Sequence, residues 1–515
     1  MANKKAKVLL ISPNLVGIKD GITRIEPPMG IGFLAAALLQ EGHEVFVRDT
    51  ALEGWEKRES LEDENFVSIG ETENEITEYI RAVNPDIVGI SLTFSNLVRS
   101  AKEIARMIKS INPAISVVIG GNCVTGASRD FRYARDKSKN PLFETLFTDI
   151  FDKNFDYAMT GESDLTFPRL VDCLMNNGNI TQFNNLIYRD KKGSIVFADN
   201  TSCSGWVDLT KLPLPARQLF NMNKYFEIGA FQSPRTKAKK ILRIMATRGC
   251  PEQCTFCSTP ETWGRKIRWR NSDSIEKEIE AAFANEGVEE IQIADDNITA
   301  NLSNFYKLCD LLEKTGVPWC TPNGTKANYH MDKQPEYYKR MKESGCYQTT
   351  IAGESGNQYV LDNLANKNLQ LYEIAKAVDN AKNAGLYVHT YWMVGFPGET
   401  REQMEETIAF AASVGADSYS VGILLPLPGT LIYRKVIEEN LFWISPGEAL
   451  NTESKTTRTS LVKIAGFKDA HELEAWTSKQ NIMLNELLAK KDPRRFEAYE
   501  SLRDPKFRGM NIKQT

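Results

Sequence analysis

Histidine is nearly missing from this sequence, with four in 515 residues. That scarcity removes most histidine-rich metal centres and histidine acid–base arrangements. An excess of one charge is missing too. Lys plus Arg number 63 and Asp plus Glu 67, a formal net charge of −4, so no nucleic acid held by bulk positive charge is expected as a partner. No run reaches the roughly 18 to 20 apolar residues that span a bilayer. The apolar stretch behind Met1, in "ANKKAKVLLISP", is too short for a signal peptide and carries no cleavage pattern. A cytoplasmic protein with no membrane partner is the expectation. The nine cysteines show no disulfide framework. Cys123, Cys173, Cys203, Cys309, Cys320 and Cys346 stand alone, as small buried apolar residues do in a reducing compartment.

What is present is ample core material for an α/β protein. Apolar residues make up 42% and charged residues 25%, and the length suits two or three domains. Residues 1–202 alternate strands ("KVLLISP", "HEVFVRD", "PDIVGISLTF", "AISVVIGG", "FDYAMTGE") with helical patterns. This order predicts a doubly wound parallel sheet covered on both faces, with "FNNLIYRDKKGSIVFA" as an appended hairpin. No G-x-G-x-x-G follows the first strand, which argues against a dinucleotide site. Residues 203–238 read as an irregular linker whose aromatics pack. Residues 239–440 hold six strand–helix units, from "ILRIMAT" to "DSYSVGILLP", and predict a partial (β/α)6 barrel with its site at the strand C-terminal ends. Residues 441–515 read as a helical C-terminal region.

One stretch carries the chemistry: "ATRGCPEQCTFCSTP", with Cys250, Cys254 and Cys257 just past the first strand of the second block. Three thiolates are too few for a four-coordinate zinc site unless His330 or His389 joins from far away. A redox CxxC pair would leave Cys250 idle. Soft thiolates suit iron, and three of them leave one iron of a [4Fe–4S] cluster open. The spacing C-x3-C-x2-C, with Phe256 before the last cysteine, resembles the radical SAM superfamily signature. That resemblance implies a [4Fe–4S] cluster whose open iron binds S-adenosylmethionine, together with an external one-electron reductant such as flavodoxin or ferredoxin. Gly249 would let the cluster loop turn. "AGESG" (Gly353, Glu354, Ser355) and Gly395 in "VGFPGET" are similar to the superfamily's adenosylmethionine-contacting strand ends.

The first domain resembles the cobalamin-binding domain that precedes one class of these enzymes, the cobalamin-dependent radical SAM methyltransferases. The matching stretches are "ISPN", "PPMGIGFLAAAL", "GISLTFSN", "IGGNCVTG" and "TGESD". They imply cobalamin contacts from Asn14, Met29, Gly30, Thr93, Phe94, Asn96, Gly120, Gly121, Asn122, Gly161 and Glu162. The D-x-H-x-x-G pattern of many cobalamin domains is absent and His43 precedes a strand. No histidine ligand to cobalt is therefore expected, and Thr93 and Asn96 are candidates for the lower face.

The resemblance implies radical C-methylation of an unactivated carbon using methylcobalamin and the 5'-deoxyadenosyl radical. Three stretches, "NKYFEIGAFQSPRT", "IQIADDNIT" and "VPWCTPNGT", resemble phosphonate-methylating members, which implies a (cytidylylated) 2-hydroxyethylphosphonate substrate. Methylation or rearrangement of another small molecule or peptide is the alternative, and a noncatalytic cobalamin or cluster sensor a more distant one. Substrate candidates at strand ends are Asp295, Asp296, Asn297, Asn323, Thr325, His330, His389 and Tyr391, with Tyr329 and Trp392 beside them. The basic runs "PRTKAKK" and "GRKIRWR" could bind phosphonate by charge. Trp263 could cover the cluster.

Overall fold

The computed structural model describes residues 4–19, 23–61, 66–138, 140–198, 206–229, 233, 236, 238–451 and 459–491. Cys203, three residues of the 234–240 basic run and the tail from 492 lie outside them.

Residues such as Val8–Ile11 and Val117–Ile119 are buried on both faces of a central sheet, as a covered parallel sheet requires. Its five parallel strands run in the spatial order Glu44–Asp49, Lys7–Ser12, Ile87–Ser91, Ser116–Gly120, Tyr157–Met159. The hairpin Leu186–Arg189 and Ile195–Phe197 extends the last edge antiparallel, so the sheet is mixed. In chain order the parallel part reads 2-1-3-4-5, which places a topological switch between the first and third strands. The helices between them start with local signals. Thr72 and Glu75 form a reciprocal capping box for Glu73–Val83. A small antiparallel sheet of Leu15–Ile18, Phe66–Ile69 and Arg58–Ser60 had no sequence expectation, because strands of three or four residues show too little alternation to register.

The second sheet holds six parallel strands in sequential order: Ile241–Ile244, Glu290–Ile293, Trp319–Thr325, Cys346–Glu354, Tyr387–Val394 and Ser418–Ile423. These are the expected six, separated by helices such as Ser272–Glu286 and Arg401–Ser413. The first stops at Ile244, earlier than "ILRIMAT" suggests. Thr247–Arg248 instead pairs antiparallel with Arg268–Trp269, which ties down the base of the cysteine loop. The long helix Ala470–Lys491 packs on the last barrel strand, and Asn481 exchanges hydrogen bonds with the Val421 backbone.

The 206–229 stretch is packed. Tyr225 is fully buried and its hydroxyl donates to Asp49 Oδ2 at 2.6 Å. Ser233 is buried against Gln348, near the start of the fourth barrel strand. One contiguous apolar core runs through both sheets.

Candidate active site

Gly249 turns the chain into the cysteine loop at φ +102°. A Cβ there would lie 2.3 Å from the Lys266 carbonyl oxygen, so only glycine fits. Cys250 N–H donates to Gly264 O at 3.1 Å. Thr255, between the later cysteines, donates its hydroxyl to Leu364 O at 2.6 Å and its N–H to Ala365 O at 3.0 Å. Phe256 packs edge-on against Phe396, with centroids 5.9 Å apart. All three cysteines are half-buried. Burial pushes the Cys257 thiol up to about 11, and raises Cys254 against the opposing charge of Lys367. Among the described residues no three His, Cys, Asp or Glu side chains converge on a single ion. Thiolates bound to three different irons of one cube stand wider apart than the ligands of one ion. His330 and His389, the candidate fourth ligands of a zinc site, face Ala300 O (3.4 Å) and Ser418 Oγ (2.7 Å).

The strand ends around the loop divide their labour. Asp295 accepts from the backbone N–H groups of Ala246 and Thr247. Burial raises its carboxyl to about 7, and its geometry is that of a brace for the loop entrance. Asp296 is accessible but ringed by protein, with Thr259 and Arg243 beside it. Burial raises its carboxyl to about 6. Asn297 places its amide nitrogen 3.6 Å from Cys250 Sγ and 3.1 Å from the Tyr329 hydroxyl. Glu354 ends the fourth strand at φ +64°, in the left-handed region that non-glycine residues seldom adopt. Its carboxylate meets the buried Lys367 ammonium at 2.6 Å. Burial alone would push Lys367 down, but Glu354 and Cys254 outweigh it and keep the ammonium charged. Gly353 lies against Trp392, where a Cβ would sit 2.7 Å from the indole. Ser355 Oγ is buried on Thr407 Oγ1 at 2.9 Å. Gly395 N–H donates to Glu399, a fully buried carboxyl raised to about 7 by burial.

Deeper in the barrel, Asn323 donates to Ala294 O (2.6 Å) and Thr325 to Thr350 O (3.1 Å). Tyr391 donates to Pro322 O at 3.3 Å and meets His389 edge-on at 4.8 Å. Arg24 lies within electrostatic range of Tyr391. Its neighbour Glu26 forms an ion pair with Arg243 of the first barrel strand. The 23–28 loop is thereby tied to the first barrel strand through Glu26.

The cobalamin candidates gather at the C-terminal ends of the first sheet. Asn14 donates to Glu71 O at 2.8 Å and follows the first strand. Thr93 is exposed after the third. These two flank the switch point. Asn96 is buried with both amide atoms lacking a hydrogen-bond partner, an arrangement that a polar ligand at this crevice would satisfy. Gly30 and Gly161 open onto space that a Cβ could enter, whereas Gly121, at φ +114°, lies against the Leu92 backbone. Met29, Phe94, Gly120 and Asn122 are half-buried around the same rim. His43 sits at the opposite end of the sheet, where its Nδ1 accepts from Ala6 N–H at 3.2 Å.

Ion pairs between distant stretches of the chain join the two rims. Arg248, two residues before Cys250, makes a buried bidentate pair with Asp164 at 2.7 and 3.0 Å. Arg268 grips Glu162 at 2.7 and 2.6 Å, so Glu162 binds the barrel side. Trp263 stacks on the Arg248 guanidinium, 4.4 Å from its centroid. Arg270 pairs with Glu278 at 2.6 Å, so Arg268 and Arg270 of the "GRKIRWR" run are spent internally, while Arg265 and Lys266 are exposed. Lys239 and Lys240, from the other run, donate backbone N–H to Glu289. Asp130 accepts from Gly429 N–H (2.6 Å) and Arg434 (2.7 Å). Glu162 and Asp164 fall in "TGESD", Arg248 in the cysteine stretch and Arg268 in "GRKIRWR", but nothing in those stretches pairs one with another.

The profile of the radical SAM superfamily matches residues 244–411, and that of the B12 binding domain matches residues 18–137. The chain is similar to the cytidylyl-2-hydroxyethylphosphonate methyltransferase of Streptomyces wedmorensis, 30% identical over 502 residues, covering 92% of this chain and 89% of that one. It is also similar to an uncharacterized methyltransferase of Pyrococcus horikoshii, 27% identical over 465 residues, covering 90% and 89%. Among solved structures, the radical S-adenosylmethionine methyltransferase TsrM of Kitasatospora setae, with cobalamin and a [4Fe–4S] cluster bound, superposes with TM-score 0.61. It is 17% identical and covers 84% of this chain and 78% of that chain. The cobalamin-dependent radical enzyme OxsB superposes with TM-score 0.59 at 16% identity, covering 93% and 62%. The fold of both is the fold described above. With the cysteine loop on one rim and the cobalamin-type crevice on the facing rim, the chain belongs to the cobalamin-dependent radical SAM methyltransferase family and is an enzyme of it.

Proposed function

We propose that this enzyme methylates an unactivated carbon of a cytidylylated 2-hydroxyethylphosphonate. The observation that carries the reading is the 30% identity to the phosphonate methyltransferase, sustained over nine-tenths of both chains. The cofactors are a [4Fe–4S] cluster, S-adenosylmethionine and cobalamin. When bound, they supply a radical that removes a substrate hydrogen and a methyl group that replaces it.

The protein's own part is position. Cys250, Cys254 and Cys257 would hold the cluster. Phe256, Gly353, Glu354, Ser355 and Gly395 would line the adenosylmethionine site, and Asn297 Oδ1, buried and without a partner, offers an acceptor there. The orphaned Asn96 amide and the open faces at Gly30 and Gly161 suit the corrin. Substrate would lie between the rims, against Asp296, His389 and Tyr391, with Arg24 supplying a cation for an anionic phosphonate. A small one-electron donor of the flavodoxin or ferredoxin type would serve as reductant in the cytoplasm.

The test is an anaerobic assay of protein reconstituted with iron, sulfide and cobalamin. It receives reductant, methyl-deuterated S-adenosylmethionine and cytidylyl 2-hydroxyethylphosphonate. Labelled methyl on the substrate carbon, with 5'-deoxyadenosine and S-adenosylhomocysteine, is the expected result. Those two coproducts without methylated phosphonate would reject this substrate and leave the radical chemistry standing.

A further inference from the structure

Four side chains from three strand ends form a hydrogen-bonded chain that stops at a cluster cysteine. Lys326, after the third barrel strand, pairs with Glu252, which lies between Cys250 and Cys254 in the loop. Glu252 Oε1 accepts from the Tyr329 hydroxyl at 2.5 Å. Asn297, after the second strand, donates to Tyr329 at 3.1 Å and to Cys250 Sγ at 3.6 Å. All four are buried or half-buried.

The donor inventory fixes the direction of every bond. A carboxylate paired with an ammonium can only accept, so Tyr329 must give its one proton to Glu252. Its oxygen is then an acceptor, which requires the NH2 end of the Asn297 amide, not its carbonyl, to face Tyr329. The second hydrogen of that same NH2 is left for Cys250. An amide orientation that is ordinarily ambiguous is thus determined by the Glu252–Tyr329 contact, between residues 77 apart in sequence.

We propose that Asn297 is a redox-tuning residue that donates an N–H···S bond to the Cys250 thiolate of the cluster, and that Tyr329, Glu252 and Lys326 are positioning residues that hold its amide in the donating orientation. A donor to thiolate sulfur stabilises the reduced cluster, which carries the extra negative charge, more than the oxidised one. The bond therefore raises the reduction potential and makes the electron easier to deliver. The inference rests on the cluster assignment and is independent of the phosphonate.

The test is an EPR-monitored redox titration of the reconstituted enzyme without substrate, for the wild type, Asn297→Ala and Tyr329→Phe, with iron content measured on each. The expected result is a midpoint shifted negative in both variants at unchanged iron content. Pulsed EPR of the reduced wild type labelled with 15N-asparagine should also show a nitrogen coupling that Asn297→Ala removes. The coupling is read on the unaltered protein, so its absence overturns the proposal even if Asn297→Ala fails to hold iron. Unshifted midpoints in both variants, or absence of the coupling, overturn the proposal. A wild-type chain that takes up no cluster overturns it together with the cluster assignment. A negative phosphonate assay affects neither readout.

Discussion

Arg248 and Asp164, 84 residues apart, share a fully buried bidentate ion pair that fastens the base of the cysteine loop to the end of the last parallel strand of the cobalamin-type sheet. The pair lies close to both sites along the chain, because Arg248 is two residues from Cys250 and Asp164 three from Gly161. Breaking it should loosen both sites together. Asp164→Asn leaves a buried guanidinium half-compensated, and such losses cost about 3–5 kcal/mol. Thermal unfolding of the cofactor-free chain should show the loss. The double variant Arg248→Met with Asp164→Leu should recover much of it, since no charge is then stranded.

Each of Cys250→Ala, Cys254→Ala and Cys257→Ala should abolish release of 5'-deoxyadenosine from S-adenosylmethionine under reductant, read by chromatography. Cys309→Ala and Cys346→Ala, whose thiols are buried away from the loop, should keep it.

Gly126 touches the barrel directly: a Cβ there would lie 2.1 Å from the Pro428 carbonyl oxygen. Gly126→Ala should force the helix Asn122–Tyr133 away from the loop that follows the last barrel strand. A loss of about 1–3 kcal/mol is expected from overpacking, measured by denaturant unfolding.

His43→Gln should leave the visible absorption of bound cobalamin unchanged, because the ring lies at the strand N-terminal end with Nδ1 on Ala6 N–H. A spectral change characteristic of a lost nitrogen ligand would contradict the placement.

Asp49 gives a pH test of the linker contact. Burial raises its carboxyl from 3.8 to about 6. The folded chain then keeps a proton that the unfolded chain releases near pH ~4. Its contribution is complete below that pH and is lost as pH rises through about 6. Unfolding midpoints of wild type and Asp49→Asn should therefore diverge across this window, with the wild type losing ground as pH rises.

The sheets were legible because their signals are local. Runs such as Val8–Ile11 declare a covered parallel strand, and the six strand–helix units repeat at regular spacing. The close spacing of the cysteine triplet was visible for the same reason, since its three thiols fall within eight residues. The interface was not. Nothing in "TGESD" separates Glu162 and Asp164 as partners of Arg268 and Arg248 from contacts to a cofactor, since a carboxylate reads alike in either role. Asp295 looked like a ligand-facing acid at a strand end, yet both its oxygens face backbone N–H groups of Ala246 and Thr247.

The sequence by itself determined the fold class, the spacing of the cysteine loop and the order of the two α/β units, because burial periodicity and residue spacing are properties of neighbouring residues. Only the tertiary structure decided which charges are spent on joining the rims and which face the space between them. It also oriented the Asn297 amide toward Cys250. Those outcomes depend on desolvation and on hydrogen-bond partners brought together from distant parts of the chain, and a carboxylate or amide acquires its role only when the groups opposite it are in place.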